Sequence, residues 1–509
     1  MENKETVLLA LTWSEKKVFD GKSFDDLLTL DGIPLGWFYK KFFLPNVIPR
    51  YVNPTEFICM KKKMSLLNRL YFSINARFLP VLLRFKEQRK MSGIEKTQSE
   101  ISKVLFLSYS NHLLPDGKIF RIQNLVDDLS KDNKIVPLVL FADPLSSSKQ
   151  VKNTVYQYCS EALKNKAIVE SKALFRKVQQ LPRKNLSNAF TIGDTHVFNE
   201  YAAAYRMYFS RNFLFILCLT YELCKTIIEK ERIQAVVLTS PNSMMERCLI
   251  AAASKKSIPV IDIQHGIGMG RLVDKRVPVH FAVFGDFHAK QLTTNGALSD
   301  YVHKVGPVIF DDIINHQSSQ ERLVLIATAP VVEDNECSKK QYFARFERIL
   351  LQISSIKDIN VIIKLHPREK YSKEYAKIIS RHRLLNTTLY DQRTPREEFY
   401  KLMGLCNSFV HFGTTAALEA MILNKPVVTI NIRDFEVNSP ISWLQDASIF
   451  LNYNEDIKNG VERALKNEME LQLKRKKYIK QFCGNVDGKS HLRVAQLIYS
   501  LIEGNHGKK

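Results

Sequence analysis

The chain has 509 residues, of which 45% are hydrophobic and 25% are charged, so it is long enough for two or three globular domains and too apolar for a disordered protein. Its 74 Lys and Arg residues outnumber its 52 Asp and Glu residues, and the formal net charge is +22. A charge of this size indicates an anionic partner, which is a nucleic acid, an anionic membrane surface or a phosphorylated substrate. Zinc-finger spacings and RNA-binding strand signatures are absent from the sequence, so nucleic acid is excluded as the predicted partner.

The eight cysteines are dispersed without a Cys-x-x-Cys pair, which predicts neither a zinc site nor a disulfide framework and fits a reducing cytoplasm. No uninterrupted apolar window of about 18 residues occurs, so no membrane span is predicted. The most apolar segment, 213–228, contains Glu222 and Lys225 and is predicted to form a buried helix. The N-terminus has only a short apolar run and no cleavage-like site, so no signal peptide is predicted.

The first part of the chain, residues 1–98, is interpreted as an N-terminal extension. Segment 23–49 is aromatic and broken by prolines, which predicts an ordered loop with short helices. In segment 59–92, cationic side chains alternate with leucines and aromatic residues, and only Glu87 opposes them. This pattern is typical of an interfacial helix on an anionic membrane, and the alternative is a packed helix with a solvated basic face. The predicted membrane-surface residues are Lys61, Lys62, Lys63, Arg69 and Arg77.

An alternation of strands and helices begins at residue 103 and predicts a first Rossmann-like domain over 99–314. Its strands are predicted at 103–108, 135–141, 235–239, 259–264 and 280–285, with helices at 121–130 and 243–254. The strand 259–264 ends in Gln264-His265-Gly266, and the glycines that follow form only a weak dinucleotide-binding signal. The polar segment 315–321 marks the domain boundary.

The alternation restarts in a second Rossmann-like domain, predicted over 315–482, and residues 483–509 are predicted to be a C-terminal helix and tail. Its first elements are strands at 323–327, 360–365 and 388–390 and helices at 339–356, 373–383 and 395–404. The strand 360–365 leads directly into His366-Pro367-Arg368. Side chains that follow a parallel strand at its carboxyl end are well placed to contact a ligand.

The stretch 405–430 predicts a strand, a tight turn, a helix and a second strand. The apolar run 409–412 is a buried strand, Gly413 supplies the turn, and Thr414 or Thr415 caps the helix. Parallel order of the two strands is expected. The turn would then leave backbone N–H groups and a positive helix end at the carboxyl edge of the sheet, where a phosphate is favoured.

Glu419 lies about one turn into that helix, within reach of a ribose. The alternative is that this is an ordinary α/β unit and that Glu419 faces solvent. Two α/β halves with a phosphate turn in the second half predict a cleft between two domains.

The chain resembles GT-B glycosyltransferases over about residues 103–465, most strongly after residue 320. Retaining members of that fold carry a Glu-x7-Glu pair at this helix, and Glu419 matches the second glutamate, which in that pattern contacts the nucleotide ribose. His411 occupies the first position, so the chain departs from the common retaining class.

The segment IIKLHPREK, which contains His366, resembles the His-Pro motif of bacterial polysialyltransferases and capsule Kdo transferases. CDP-glycerol polyol-phosphate transferases carry both a His-Gly and a His-Pro motif, and IQHG and KLHP occupy those places here. In these families the His-Pro histidine and the Ser/Thr turn contact the donor phosphates. The resemblance therefore implies a donor-phosphate site at His366, Thr414 and Thr415.

A donor that leaves as a phosphate requires hydrogen-bond donors at the leaving oxygen. His366, Arg368 and the turn at Gly413 are the predicted donors, and because Asp-x-Asp is absent from the sequence, neither a metal nor another cofactor is expected. An inverting transfer also requires a base on the acceptor hydroxyl. The candidates are Asp116, in a pair similar to the acidic-Gly motif of polysialyltransferases, and His265. The alternatives are a turn aspartate and a histidine hydrogen-bonded at a sheet edge.

These observations predict an α/β, GT-B-like enzyme with two Rossmann-like domains facing a cleft and an N-terminal extension. It is expected to transfer a sugar from a nucleotide-activated donor, with CMP- or CDP-linked donors favoured by the His-Pro resemblance. The expected acceptor is a surface polysaccharide or a lipid-linked glycan at the inner face of the cell membrane. Three alternatives stay open: a CDP-glycerol polyol-phosphate transferase, an epimerase of the UDP-N-acetylglucosamine type, and a non-catalytic glycan-binding subunit.

Overall fold

The computed structural model describes residues 9, 12–39, 102–114, 117–131, 135–142, 153–239, 243–266, 277–315, 322–334, 336–433, 444 and 447–506. Chain contacts divide it into two compact units, one of residues 1–263, 271–281 and 495–509 and one of residues 264–270 and 282–494. A six-stranded α/β sheet is built by each half of the chain, so the predicted fold class of two Rossmann-like domains is confirmed.

The strands of the described residues are, in chain order, β1 (Thr29–Leu30), β2 (Ile33–Pro34), β3 (Ser102–Ser108), β4 (Ile135–Phe141), β5 (Thr191–Ile192), β6 (Thr195–His196), β7 (Ile233–Leu238), β8 (Val260–Ile263), β9 (His280–Val283), β10 (Val302–Lys304), β11 (Leu323–Ala327), β12 (Asn360–Lys364), β13 (Thr387–Tyr390), β14 (Ser408–His411), β15 (Val427–Asn431) and β16 (Ile449–Asn452).

The α-helices of the same residues are α1 (Phe24–Leu27), α2 (Gln123–Ser130), α3 (Glu161–Gln180), α4 (Arg183–Ala189), α5 (Phe198–Tyr208), α6 (Arg211–Lys230), α7 (Met244–Lys255), α8 (Asp286–Thr294), α9 (Lys339–Ser354), α10 (Ser372–Arg381), α11 (Arg396–Leu405), α12 (Ala416–Ile422), α13 (Ile457–Lys466), α14 (Met469–Cys483) and α15 (Ser490–His506). Short 3-10 helices occur at Trp13–Glu15, Ser110–His112, Val155–Tyr158, Ser299–Tyr301 and Val308–Asn315. The predicted strands and helices of the two halves are confirmed to within a residue or two at each end.

The first sheet has the strand order β10-β9-β8-β7-β3-β4, and the pairs β3–β4, β3–β7 and β7–β8 are parallel. Its chain order reverses between β3 and β7, because β4 lies on one side of β3 and every later strand lies on the other. In open α/β sheets, ligands bind beyond the carboxyl ends of the strands at such a switch point.

The second sheet has the order β13-β12-β11-β14-β15-β16, and all five of its strand pairs are parallel. Its switch point lies between β11 and β14. The central strands β11, β14 and β15 are buried along their whole length, because helices cover both faces, whereas the edge strands β13 and β16 are partly exposed. Continuous apolar runs, rather than alternating ones, are the sequence signature of strands buried in this way.

Local capping explains where several helices begin. Ser210, Ser243 and Ser338 occupy the N-cap positions of α6, α7 and α9, and the hydroxyl of each accepts a backbone N–H three residues on. At α7 the side chain of Glu246 accepts the Ser243 N–H in return, which completes a capping box. These bonds satisfy amides that have no partner within the helix.

Helix α6 contains the segment that was predicted to be a buried helix, and that prediction is confirmed. Its inward face includes Leu217 and Cys218, which are fully buried, and its one buried carboxylate, Glu222, pairs with Lys166 and Lys225 at 2.8 and 2.9 Å. Across the described part of the chain, no helix combines the length and apolar character that crossing a bilayer requires.

The described part of the N-terminal extension packs into the hydrophobic core of the first unit. Trp13 is fully buried and stacks on Phe190 with 4.6 Å between ring centroids. Trp37 lies under the guanidinium of Arg247, which also donates to the Trp37 carbonyl at 2.5 Å. Segment 23–39 contains a short helix as expected, but also the antiparallel hairpin β1–β2, which the prolines of this region had not suggested.

Candidate functional site

Three neighbouring strands of the second sheet end in register at its carboxyl edge. Ala327, the last residue of β11, is paired with Lys364 of β12 on one side and with His411 of β14 on the other. Neighbouring strands are about 4.8 Å apart, so the ends of β12 and β14 are separated by about 10 Å. The segments that carry His366 and Gly413 therefore leave the sheet on either side of the end of β11.

The backbone and ring of His366 are held by hydrogen bonds at the end of β12. Its N–H donates to Thr328 Oγ1 at 2.9 Å and to Glu369 Oε2 at 2.7 Å, and its Nδ1 accepts the Arg368 N–H at 3.2 Å. Burial, with the charges of Arg368 and Lys364, lowers the pKa of His366 to about 4. The ring is therefore neutral at pH 7, and because Nδ1 is an acceptor, the proton is on Nε2.

Glu369 is the centre of the network behind this histidine. Its carboxyl group is buried and accepts hydrogen bonds from the Thr328 hydroxyl, the Tyr375 hydroxyl and the His366 N–H. Burial raises the pKa of Glu369 to about 7, although these three donors oppose the rise. Glu369 is not among the predicted site residues, but its position three residues after His366 in the HPRE segment was the available signal.

Arg368 is not an unpaired cation, because it forms an ion pair with Asp334. Its Nη1 and Nη2 donate to the two carboxylate oxygens of Asp334 at 2.7 and 2.8 Å, and the ion pair raises the pKa of Arg368 further above its usual range. The Arg368 side chain is 57% exposed. Exposed ion pairs contribute little to stability, so a phosphate could exchange with Asp334 at small cost.

The turn after β14 has the expected sharp geometry, but its amides are used differently from the prediction. Gly413 has φ 106°, which only glycine adopts at little cost. The N–H groups of Gly413 and Thr414 donate to Nδ1 of His411 at 3.1 and 3.2 Å, so they are not left open at the sheet edge. Within the described residues, the Thr415 N–H is the amide of this turn that has no hydrogen-bond partner.

The buried ring of His411 is what holds this turn. Burial and the nearby Arg433 lower the pKa of His411 to about 3, so the ring is neutral. Because Nδ1 accepts two amides, Nε2 carries the proton and donates to Thr429 Oγ1 at 2.8 Å. The histidine that replaces the first glutamate of the Glu-x7-Glu pattern is therefore a structural residue in this fold.

Helix α12 begins at the turn with only one of the two threonines acting as a cap. Thr415 is at the N-cap position without a capping side-chain bond, whereas Thr414 Oγ1 accepts the Ala416 N–H at 3.3 Å. The helix is seven residues long, and dipole effects decay within the first turn. The Thr415 amide is therefore the group that this helix start leaves open to a ligand among the described residues.

Glu419 is buried rather than facing solvent. Only 7% of the residue is exposed, and its Oε1 accepts a hydrogen bond from Arg396 Nη2 at 3.0 Å. Burial raises the pKa of Glu419, and Arg396 opposes that rise. Arg396 in turn lies 4.7 Å from the centroid of the Tyr400 ring. A ribose contact at Glu419 would therefore share the carboxylate with Arg396.

Arg433 is a further residue at this edge that the sequence analysis missed. It follows β15, is 7% exposed, and pairs with Glu336 through Nε at 2.7 Å. Its Nη1 donates to the carbonyl of Phe412 at 2.6 Å, directly before Gly413. The sequence feature that could have indicated Arg433 is its position two residues after the end of a buried strand.

The remaining predicted site residues either lie beside the first sheet or fall outside the residues that the structure describes. His265 is half-buried and follows β8 in the first sheet, where the Gln264 amide accepts from the Phe284 N–H and donates to the Gly266 carbonyl, both at 2.9 Å. Asp116, the other candidate base, lies outside the described residues. The predicted membrane-surface residues Lys61, Lys62, Lys63, Arg69 and Arg77 also lie outside them.

No protein-family model and no curated protein matches the chain. Among solved structures, a putative UDP-N-acetylglucosamine 2-epimerase from Listeria monocytogenes aligns with 12% identity and a TM-score of 0.49, covering 79% of this chain and 97% of its own. MnaA of S. aureus with UDP aligns with 14% identity and a TM-score of 0.47 over the same shares. HepE of Anabaena with UDP-glucose aligns with 11% identity and a TM-score of 0.41, covering 79% and 99%. Likeness at this level assigns neither a reaction nor a substrate to this chain.

Proposed function

We propose that the chain is a glycosyltransferase that uses a nucleotide-activated sugar and binds the donor phosphates at the carboxyl edge of the second sheet. The observation that carries this proposal is the neutral ring of His366, which is held so that Nε2–H is available at that edge. Among the described residues, Nε2 of His366 has no hydrogen-bond acceptor of its own. A donor phosphate oxygen is the acceptor that we assign to it.

The chemistry of this site fits a leaving phosphate. Negative charge grows on the phosphate oxygen as its bond to the sugar breaks, and a hydrogen-bond donor that is already oriented stabilises that charge without reorganising. His366, which follows β12, and the Thr415 amide, which follows β14, supply two such hydrogen-bond donors. Arg368 supplies a third when its guanidinium exchanges Asp334 for the phosphate. All three of these proposed hydrogen-bond donors are protein groups.

The predicted ribose contact of Glu419 belongs to the same proposal. A ribose is remote from the reacting atoms, so losing its contact weakens binding of the ground state and the transition state alike. We expect Glu419→Gln to raise the donor KM by about tenfold while kcat changes by less than about threefold. Steady-state kinetics measures both, and an unchanged KM with a collapsed kcat would contradict the ribose role.

For the acceptor, we propose a glycan hydroxyl that is activated by a base. His265 and Asp116 are the candidate bases, and the Gln264 amide fixes the bend in which His265 lies. CMP- and CDP-linked donors are proposed first, because the motifs at His265 and His366 resemble those of the polysialyltransferase and CDP-glycerol transferase groups.

A panel of activated donors tests the proposal directly. Purified protein is incubated with CMP-sialic acid, CMP-Kdo, CDP-glycerol, UDP-glucose and UDP-N-acetylglucosamine, and nucleotide release is measured with and without a glycan acceptor. Acceptor-stimulated release from a nucleotide sugar supports the glycosyltransferase. Release from CDP-glycerol alone would identify a polyol-phosphate transferase, and acceptor-independent turnover of UDP-N-acetylglucosamine an epimerase. Turnover of none of the five would favour the non-catalytic glycan-binding subunit.

A further inference from the structure

The first unit contains a cavity of about 230 Å³ that the donor site does not use. It lies where β3, β4 and β7 end, since Tyr109, Ala142 and Ser243 follow these strands closely and all three line it. The Tyr109 hydroxyl and Ser243 Oγ are joined by a hydrogen bond of 2.7 Å across the β3–β7 switch point. The cavity is therefore at the position where sheets of this order bind their ligands.

The wall of the cavity is mostly apolar. Phe215, Leu219 and Leu223 follow one another at four-residue spacing along α6, so they form a continuous ridge, and Met245 adds to it from α7. None of the lining residues is charged, although the whole chain carries a net charge of +22. Lining residues such as Phe215 are only half-buried, so the cavity opens to the surface of the described part of the chain.

Size and polarity together select the kind of ligand. An engineered apolar cavity of about 150 Å³ remains dry and binds benzene, so this larger one can hold a longer hydrocarbon group. A sugar ring would bury several hydroxyl groups against Phe215, Leu219 and Leu223, which offer no partners for them. Four lining residues carry hydroxyl groups, namely Tyr109, Tyr156, Thr220 and Ser243. Those of Tyr109 and Ser243 lie together through their hydrogen bond, which suits a ligand with one polar end.

We propose that this cavity binds an alkyl group of the glycosyl acceptor, so that the enzyme acts on a glycan carried by a lipid. This inference rests on the proposed transferase function and specifies its acceptor class. The polar end of the lipid lies against Tyr109 and Ser243, and its first carbon atoms fill the cavity along α6.

Cys159 provides a reporter for occupancy of the cavity, because it lines the wall, is partly exposed and is in no disulfide. The other described cysteines are buried. In a Cys59→Ser background, the rate of maleimide labelling is measured in the presence of methyl, butyl or hexyl glucoside, each below its micelle-forming concentration. Loss of labelling in Cys159→Ser shows that the labelled residue is Cys159. We expect protection to strengthen with alkyl length, by up to roughly fourfold in affinity for each methylene group that is buried.

A cavity-filling variant gives the matched comparison. Ile216→Trp places an indole in the cavity, whereas Val169→Trp adds the same group at a side chain that is 68% exposed on α3. Protection by hexyl glucoside should be lost in the first variant and kept in the second. Protection independent of alkyl length, absent in the wild type, or retained in Ile216→Trp would overturn the proposal. The wild-type labelling series decides the matter even if Ile216→Trp does not fold.

Acceptor-free donor hydrolysis, measured on the same proteins, separates this proposal from the proposed function. Donor turnover without alkyl protection would refute the lipid acceptor and leave the transferase. Alkyl protection without turnover of any donor would refute the acceptor role of the cavity along with the transferase.

Discussion

Two neutral histidines at the edge of the second sheet share the same tautomer but have different roles. His366 and His411 each accept backbone N–H groups at Nδ1, so each carries its proton on Nε2. The Nε2–H of His411 is used internally, by Thr429, whereas that of His366 is directed to no described acceptor. Burial keeps both rings uncharged, which preserves one donor and one acceptor per ring.

His366→Ala is therefore expected to fold normally and to lose about 30- to 1,000-fold in kcat, which corresponds to roughly 2–4 kcal/mol of transition-state stabilisation. The control is His382→Ala, because His382 is a histidine of the same unit that lies outside the predicted motifs and whose Nε2 bonds to Glu347 at 2.5 Å. The measurement is donor turnover in variants with wild-type circular dichroism. Near wild-type turnover in folded His366→Ala would remove His366 from the site.

The raised pKa of Glu369 predicts how the free energy of unfolding depends on pH. Its pKa is raised to about 7 in the folded protein, so the folded state keeps this proton to higher pH than the unfolded state does. The resulting contribution to the free energy of unfolding is fully present below the unfolded pKa of about 4.3 and is lost as pH rises through about 7. Relative to Glu369→Gln, the wild type should lose roughly 2–3 kcal/mol between pH 4.5 and 8.

Denaturant unfolding of both proteins across that pH range measures this difference. Glu397→Gln is the matched control, since the Glu397 side chain is 79% exposed and its substitution should leave the pH profile of stability unchanged. Parallel profiles for the wild type and Glu369→Gln would show that Glu369 ionises normally in the folded state.

At the scale of elements, the candidate site is formed by the segments that follow the strands and not by the strands themselves. β14 leads into a glycine turn whose N–H groups donate to the buried ring of His411, and Arg433, two residues after β15, donates to the Phe412 carbonyl in the same turn. The turn is therefore held by the last residue of its own strand and by a residue that follows one neighbouring strand. We expect this pre-organisation to hold the Thr415 amide in position for the proposed donor phosphate.

Gly413→Ala tests this turn. A side chain at φ 106° is strained, and we expect a loss of about 1–2 kcal/mol in the free energy of unfolding together with weaker donor binding. Gly296→Ala is the control, because Gly296 has φ 95° in open space and carries the same backbone strain away from the site. Both variants should be destabilised in urea, but only Gly413→Ala should raise the donor KM. Equal donor KM values would show that the turn does not contact the donor.

At the scale of the whole molecule, the net charge of +22 exceeds what one phosphorylated donor requires. A membrane carrying the acceptor lipid would account for the rest, and we propose that segment 59–92 supplies the contact at the inner face of the cell membrane. Each cation near an anionic surface contributes on the order of 1 kcal/mol, and the attraction decays within a Debye length.

The protein is therefore expected to cosediment with anionic vesicles, to be released by raised salt, and to lose binding when Lys61, Lys62, Lys63, Arg69 and Arg77 are changed to Gln. The control changes five exposed lysines in the last third of the chain to Gln, namely Lys466, Lys474, Lys476, Lys477 and Lys480. Equal binding to neutral and anionic vesicles, binding to neither, or equal loss in both variants would contradict a localised membrane contact.

The amino-acid sequence by itself determined the elements of this protein, because hydrophobic periodicity and turn residues act over a few neighbouring positions. The run before Gly413, the strand before His366 and the buried helix at 213–228 all follow from local pattern. Such patterns also place His366 and the turn at the same edge of a parallel sheet, once the strands are known to be adjacent.

Only the tertiary structure decided which groups those elements bring into contact. Thr328, His366 and Glu369 form one network because β11 pairs with β12, and Arg433 reaches the Gly413 turn because β15 pairs with β14. Strand order, and with it these contacts between residues distant in sequence, depends on packing that no local pattern encodes. For the same reason, the capture of two turn amides by His411, the burial of Glu419 against Arg396, and the cavity at Tyr109 could not be predicted from the sequence.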